Sequence, residues 1–251
     1  MRSVNLYQFN GDPRVPRPLR QTLLETFEFC NTVIRPYYRN VADAVLTQAQ
    51  QKGFRTIVEL GAGHAPLTRL MVEDPRGADR QFVVCDLIPA VAQYRELEQR
   101  YPGRVTALTE SVDFTQPRPW DPTTLLVLCA AIHHVPTATR CGVLQALSGS
   151  GGGVMVFVPV RKHWLSLLLS VSVVFPALAL PLLRLGTPGT LRRLLWCWLL
   201  PAVPLMAAWD GLGGSLRQWT DAEWRQALAP QAEAGRVPTI VNGVNEQLVA
   251  W

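Results

Sequence analysis

From residue 56 onwards the chain alternates short apolar runs with stretches that open and close like helices, and few folds accept that rhythm. Ile57–Leu60, Phe82–Cys85, Val105–Leu108, Leu125–Cys129 and Val154–Val158 read as strands buried on both faces. Between them lie a helix opened by Pro66, one opened by Pro89 and closed at Pro102-Gly103, and one over Thr137–Leu147. Strand–helix alternation at this spacing predicts a doubly wound, mostly parallel α/β sheet, and 251 residues suit one such core. Residues 1–20 are rich in Pro and Arg and read as an irregular arm. Residues 21–51 carry helical spacing (Leu23, Leu24, Phe27; Val33, Ile34; Val41, Ala44, Val45), as two helices broken near Pro36. At the far end TDAE at Thr220 is a capping box for a helix over 221–229, and PTIVNGVNEQLVAW reads as two strands joined near Asn242-Gly243.

The rhythm fails after the fifth strand. Residues 164–183 (WLSLLLSVSVVFPALALPLL) and 194–209 (LLWCWLLPAVPLMAAW) are uncharged, and a turn-prone stretch with Gly186, Pro188 and Gly189 separates them. Four segments follow: 1–52, an N-terminal arm and helical cap; 53–160, the α/β core; 161–218, an apolar helical insert; and 219–251, the helix and strands that complete the core.

Charge is distributed in step with this division. The chain has 24 Lys and Arg against 19 Asp and Glu, a net +5, yet residues 122–209 hold six bases and no acid. The remaining 18 bases and 19 acids nearly cancel. A basic excess confined to the most apolar region disfavours a nucleic-acid groove, which needs dense Lys and Arg in polar surroundings. It favours an anionic membrane surface, or an acidic substrate arriving under an apolar lid. The first run is long enough to span a bilayer, but Pro176, Pro181, Pro201 and Pro204 interrupt the two runs, and a spanning hairpin would send Arg184, Arg192 and Arg193 across. An interfacial hairpin is therefore expected, with arginines on headgroups and Trp164, Trp196, Trp198 and Trp209 at the boundary; the alternatives are a dry lid or a dimer interface. Five cysteines without metal-ligand spacing read as reduced thiols, and no zinc site is expected. The N-terminus lacks the apolar core of a signal peptide, so the expected location is the cytosol, peripheral on the inner face of the membrane.

Ligands of an open parallel sheet bind beyond the carboxyl ends of its strands, and four such ends are informative here. VELGAG places Glu59 near one end, with Gly61 and Gly63 allowing close backbone approach; Pro66 stands where a dinucleotide fingerprint needs its third glycine. VVCD ends on Asp86, 23 residues past Gly63, where a carboxylate can accept both ribose hydroxyls of an adenosine. TESVDF offers Ser111, Val112 and Asp113, and LCAAIHHV offers Cys129, Ala130, His133 and His134.

VELGAG, VVCD, LCAAIHHVP and GGGVMVFVP together resemble the class I S-adenosylmethionine-dependent methyltransferase family. The resemblance covers roughly residues 55–160 and resumes over 219–251, where WTDAEWRQAL resembles the helix before the last strands of small-molecule members. It implies a seven-stranded sheet with an antiparallel final strand and S-adenosylmethionine as cofactor. It also implies Glu59, Gly61, Ala62 and Gly63 around the methionine part, Asp86 with Leu87 at the ribose, Ser111 to Asp113 near adenine, and the backbone of Cys129 and Ala130 near the amino group. The loop reads GAGHA rather than the commoner GxGxG, and Glu110-Ser111 stands where Gly-Asp is usual.

Methyl transfer from a sulfonium needs mainly alignment and exclusion of water, so the catalytic inventory is short. His133 and His134 are the candidate bases, and Asp210 and Arg217 are further candidates because they bracket the return from the insert. The expected activity is methyl transfer by in-line displacement to a hydrophobic or amphipathic small molecule or lipid. The alternatives are a non-catalytic methyltransferase-like protein docking through its hairpin, and a nicotinamide-dependent oxidoreductase, which Pro66 argues against. The acceptor atom and the oligomeric state stay open.

Overall fold

In the computed structural model the described residues are 7–9, 12, 14–33, 35–116, 118–159, 162, 164–235, 238–242 and 247–251. The elements in chain order are α1 (Arg17–Val33), α2 (Arg35–Lys52), β1 (Thr56–Leu60), α3 (Pro66–Glu73), β2 (Gln81–Cys85), α4 (Val91–Arg100), β3 (Val105–Ala107) and β4 (Thr124–Cys129). There follow α5 (Thr137–Ser150), β5 (Gly153–Val158), α6 (Trp164–Val171), α7 (Val174–Leu183), α8 (Thr190–Leu194), α9 (Ala202–Leu216), α10 (Asp221–Glu233), β6 (Thr239–Asn242) and β7 (Gln247–Ala250). By compactness the chain divides into two units, Met1–Arg35 with Val160–Trp219, and Pro36–Pro159 with Thr220–Trp251. The N-terminal segment is thus shared: α1 belongs with the insert and most of α2 with the sheet, whereas the sequence groups both helices in one cap.

The sheet unit is a seven-stranded sheet in the order β3-β2-β1-β4-β5-β7-β6. β1 to β5 run parallel, and β7 is antiparallel to both β5 and β6. Every residue of β4 and β5 is buried, so these strands read as unbroken apolar runs rather than as in-out alternation. The core joins Val127, Leu125 and Phe82 of the sheet to Met71 and Leu97 of the helices, and Val45 and Leu46 of α2 pack into the same cluster. Leu60 lies opposite Cys85 on one side and Leu128 on the other, so the ends of β1, β2 and β4 finish level. The capping box is made: Thr220 Oγ1 accepts from Glu223 N at 3.3 Å, and Glu223 Oε2 accepts from Thr220 N at 2.7 Å. The turn expected at Asn242-Gly243 lies outside the described residues.

In the insert unit α6 and α7 together supply a 20-residue apolar stretch, Trp164–Leu183, of mean hydropathy 2.2. Thr190–Leu199 and Ala202–Leu216 are bent against each other by 72° at Leu200-Pro201, where the proline removes a backbone donor. A π-helical turn, Leu195–Leu199, precedes the bend. Leu23 of α1 packs with Ala177, Cys197, Val203 and Ala207. One ion-pair fork ties α1 to α8: Glu25 accepts from Arg193 Nε at 2.8 Å and from Arg192 through its other oxygen. Arg193 also donates to Pro188 O at 2.9 Å and Thr187 Oγ1 at 3.0 Å and is buried. This corrects the expectation that these two arginines meet headgroups, because an acid from the N-terminal helix holds them inside the unit. Arg161, counted among the same bases, lies outside the described residues.

Candidate active site

The loop after β1 is shaped by three left-handed residues, Gly61, Gly63 and Ala65. Gly61 (φ 69°) and Gly63 (φ 55°) take the conformation that glycine permits. A Cβ on Gly61 would lie 2.9 Å from Ala131 Cβ and close to the Phe114 ring, so any side chain there is excluded. A Cβ on Gly63 would meet nothing within 4 Å, which leaves the backbone open to a ligand. Ala65 is also left-handed, at φ 54°, in the position of the third glycine of GxGxG. The sequence signal for it was only the spacing. A second left-handed alanine, Ala130 (φ 55°), follows β4 directly. Non-glycine residues in this region persist only where their surroundings impose the conformation, and such strain gathers at ligand sites.

Asp86 bridges two of these loops. Its Oδ2 accepts from Gly63 N at 2.8 Å and its Oδ1 from Ile88 N at 2.9 Å. Each carboxylate oxygen retains acceptor capacity for a further donor. Ala62 N donates to Cys85 O at 3.0 Å, and Val112 N to Asp86 O at 2.9 Å, so the ends of β1, β2 and the loop after β3 are fastened together. Leu87 and Ile88 stand beside the carboxylate with 54% and 75% of their surface exposed, an apolar shelf next to an acid. Ile88 was not singled out by sequence.

Glu59 is placed differently from the expectation that it surrounds the methionine part. Its side chain is buried, and Oε2 accepts from Thr68 N at 3.0 Å and from Thr68 Oγ1 at 2.5 Å. The cap residue of α3, Ala65, has no side chain to satisfy that N–H, so the strand carboxyl acts as the missing cap. Burial pushes its pKa up to about 7 against the two Thr68 hydrogen bonds, with a smaller push from Asp86. Glu59 therefore shapes the loop from below.

After β3, Ser111 Oγ donates to Leu87 O at 2.7 Å and Asp113 Oδ1 accepts from Thr115 N at 2.9 Å. Ser111 and Asp113, with Leu60, Val112, Phe114 and Trp120, line a cavity of about 300 Å³. A larger groove of about 670 Å³ lies along α2, β7 and β6 and shares no residue with the strand-end cluster. Size therefore does not choose the site; the convergence of the loops does. After β4, Ala130 N donates to Phe157 O at 3.0 Å, which fastens the start of this loop to the end of β5. Burial raises the pKa of the Cys129 thiol far above its usual value, so it stays neutral. His133 and His134 sit on a short helical turn with ring centroids 4.2 Å apart, the first half-buried and the second exposed. The buried Arg140 braces that turn by donating to Val135 O at 3.0 Å.

The parallel register thus gathers Gly61, Ala62, Gly63, Asp86, Leu87, Ser111, Val112, Asp113, Cys129, Ala130 and the two histidines at one end of the sheet. Asp210 and Arg217 belong to the insert unit. Asp210 is buried on α9, and its Oδ1 accepts from Phe9 N at 2.8 Å while the neighbouring Trp209 Nε1 donates to Tyr7 O at 2.9 Å. The pair of residues straps the N-terminal arm onto α9. Arg217 is half-buried, and desolvation lowers its pKa. Among the described residues no three His, Cys, Asp or Glu group as a metal site.

No protein-family model matches the sequence, and no curated protein matches it. Solved structures do resemble it. The plantazolicin methyltransferase BpumL, solved with S-adenosylhomocysteine, superposes with a TM-score of 0.60 at 7% identity, over 93% of this chain and 90% of its own. LaPhzM gives a TM-score of 0.53 at 15% identity, over 88% of this chain and 56% of its own. An O-methyltransferase structure from Nostoc punctiforme gives 0.53 at 13% identity, over 97% of this chain and 62% of its own. This chain therefore spans little more than half the length of the last two. At such identities the likeness speaks for the fold, and the strand order, the antiparallel seventh strand and the Gly-rich loop after β1 agree with it: the chain has the class I S-adenosylmethionine-dependent methyltransferase fold.

Proposed function

We propose that the protein is a methyltransferase that uses S-adenosylmethionine to methylate a hydrophobic or amphipathic small molecule. The observation that carries this reading is the 2.8 Å bond from Gly63 N to Asp86, which sets an acceptor-rich carboxylate against an open glycine backbone and the Leu87–Ile88 shelf. That arrangement fits an adenosine: ribose hydroxyls on Asp86, the base in the cavity of Val112, Asp113 and Phe114, and the ammonium on the carbonyls after β4. The bound cofactor would supply an electrophilic methyl carbon with its own leaving group. The chain's residues would position the acceptor and exclude water, and His133 or His134 would take a proton if the acceptor carries one at neutral pH. The neutral Cys129 thiol has no part as a nucleophile. The apolar insert follows β5 in the chain, which favours an apolar acceptor over a sugar or a nucleic acid.

Calorimetry with S-adenosylmethionine and S-adenosylhomocysteine tests the first half of the reading, and absence of heat with both would refute it. Methyl-labelled cofactor incubated with extracts of the source cells tests the second, with label expected in the organic phase. Binding without transfer to any extract would favour the non-catalytic alternative.

A further inference from the structure

The insert unit turns many of its large apolar side chains outward. Twenty large apolar residues are exposed among the described residues, and fifteen of them fall between Trp164 and Trp209. Its interior contact, between α6 and α9, is made of small and polar residues: Ser166, Ser170 and Ser215 are buried, and the hydroxyls of Ser170 and Ser215 are bonded to each other. A Cβ on Gly211 would lie 2.5 Å from Ser170 O, so the two backbones touch. At the α6–α9 contact small residues and hydroxyls lie inside while Leu, Phe and Trp lie outside, as in helices packed in lipid, beside a small apolar cluster of Leu23, Val203 and Met206. Only 22% of Trp164–Leu183 is buried.

We infer that this outer face is a lipid-bilayer docking surface held by apolar burial rather than by attraction to anionic headgroups. The inference does not rest on the methyltransferase reading. Three observations fix the occupant. Phe175, Leu182, Leu199 and Leu205 are each more than half exposed, whereas proteins in water commonly keep contiguous apolar patches to about a few hundred Å². Trp198 Nε1 donates to Leu178 O and Trp209 Nε1 to Tyr7 O, both at 2.9 Å, so the exposed indoles offer carbon faces with no unmet donor. Charge is sparse: no Asp or Glu occurs in residues 122–209, and Glu25 pairs with Arg192 and Arg193 within the unit, which leaves Arg184 as the exposed arginine of the three. The surface is seated in one leaflet and does not span. α1, which carries Arg20, Gln21 and the exposed Glu28, packs with α7, α8 and α9, so one side of the unit stays in water.

Flotation of the full chain with two kinds of vesicle tests this: pure phosphatidylcholine, and phosphatidylcholine containing phosphatidylglycerol. The protein is expected to float with both, within about threefold of each other, and to stay bound in about 0.5 M salt, where the Debye length is only a few Å. The combined substitutions Phe175→Ser, Leu182→Ser and Leu199→Ser, all at exposed positions, are expected to weaken binding to both vesicles more than about tenfold while the circular dichroism spectrum is kept. Three results would each overturn the inference: no flotation with either vesicle; flotation only with the anionic vesicle and released by salt; or a discrete dimer, dissolved by the triple variant, that ignores vesicles.

Discussion

Glu59, Ala65 and Asp86 each carry a measurable consequence. The Glu59 carboxyl is buried, with a pKa near 7 in the folded chain against an ordinary 4.5. The folded form keeps a proton that the unfolded chain releases, so this group's contribution to stability is full below pH 4.5 and falls as pH rises to 7. At about 1.4 kcal/mol per unit the loss is on the order of 3 kcal/mol. Glu59→Gln keeps an acceptor for Thr68 and does not titrate. Urea unfolding of both proteins from pH 4.5 to 7.5 is therefore expected to show the variant gaining on the parent across that window, and a constant difference would exclude the buried carboxyl as its source. Ala65 holds φ 54° without the freedom of glycine. Ala65→Gly removes that strain at some cost in unfolded-chain entropy, and a net gain of about 0.5–1 kcal/mol in thermal or urea unfolding is the expected outcome. Asp86→Ala removes the acceptor for Gly63 N and for the proposed ribose hydroxyls. Two charge-assisted hydrogen bonds lost at ~1.5–3 kcal/mol each predict at least tenfold weaker S-adenosylmethionine binding by calorimetry. Unchanged affinity would move the ribose elsewhere.

At the scale of elements, the legible parts are those governed by local rules. The five parallel strands, the Thr220 capping box, and Gly61, Gly63 and Asp86 at strand ends follow from propensity, spacing and the position of ligands in parallel sheets. Burial on both faces holds for β4 and β5 and nearly so for β1, but not for β3, which lies at the sheet edge and buries only Val105, nor fully for β2, where Gln81 is exposed and Val83 half-buried. What escaped depends on distant partners or on a conformation that residue type does not reveal. An alanine gives no sign that it will be left-handed. The resemblance places Glu59 around the methionine part, whereas its carboxyl is buried and accepts from Thr68, because the cap residue of α3 has no side chain to do so. The Glu25 fork joins residues 168 apart, which no periodicity encodes. In an unbroken apolar run, moreover, no polar face marks which side turns inward, so the Ser170–Ser215 seam emerges only once α6 and α9 are paired. The fork yields its own prediction. Glu25→Gln leaves the buried Arg193 guanidinium without its counter-charge and should cost about 2–4 kcal/mol, since removing one member of a buried pair strands the other. A lower urea midpoint with an unchanged slope is the readout. Little change would mean that Arg193 is sufficiently held by Pro188 O and Thr187 Oγ1.

Across the whole molecule, a modest net charge of +5 is set against a large outward apolar surface on the insert unit. Charge repulsion of that size is weak and salt-screened, while apolar association is favourable at roughly 25 cal/mol per Å² and salt does not screen it. Without lipid, the outer face of α6 to α9 can leave water only against another copy of itself. Because the face is broad and carries no pattern of charges to fix a register, such association has no geometry that closes. Light scattering behind a sizing column should accordingly find polydisperse species well above 27.9 kDa in plain buffer, growing rather than dissolving as salt is added. A mild non-ionic detergent should return a single 27.9 kDa protomer with its micelle. The Phe175→Ser, Leu182→Ser, Leu199→Ser variant should approach the protomer mass without detergent. A parent protein that runs as one 27.9 kDa species in plain buffer at tens of micromolar would show that water tolerates this surface, and that the outward leucines and tryptophans need no partner.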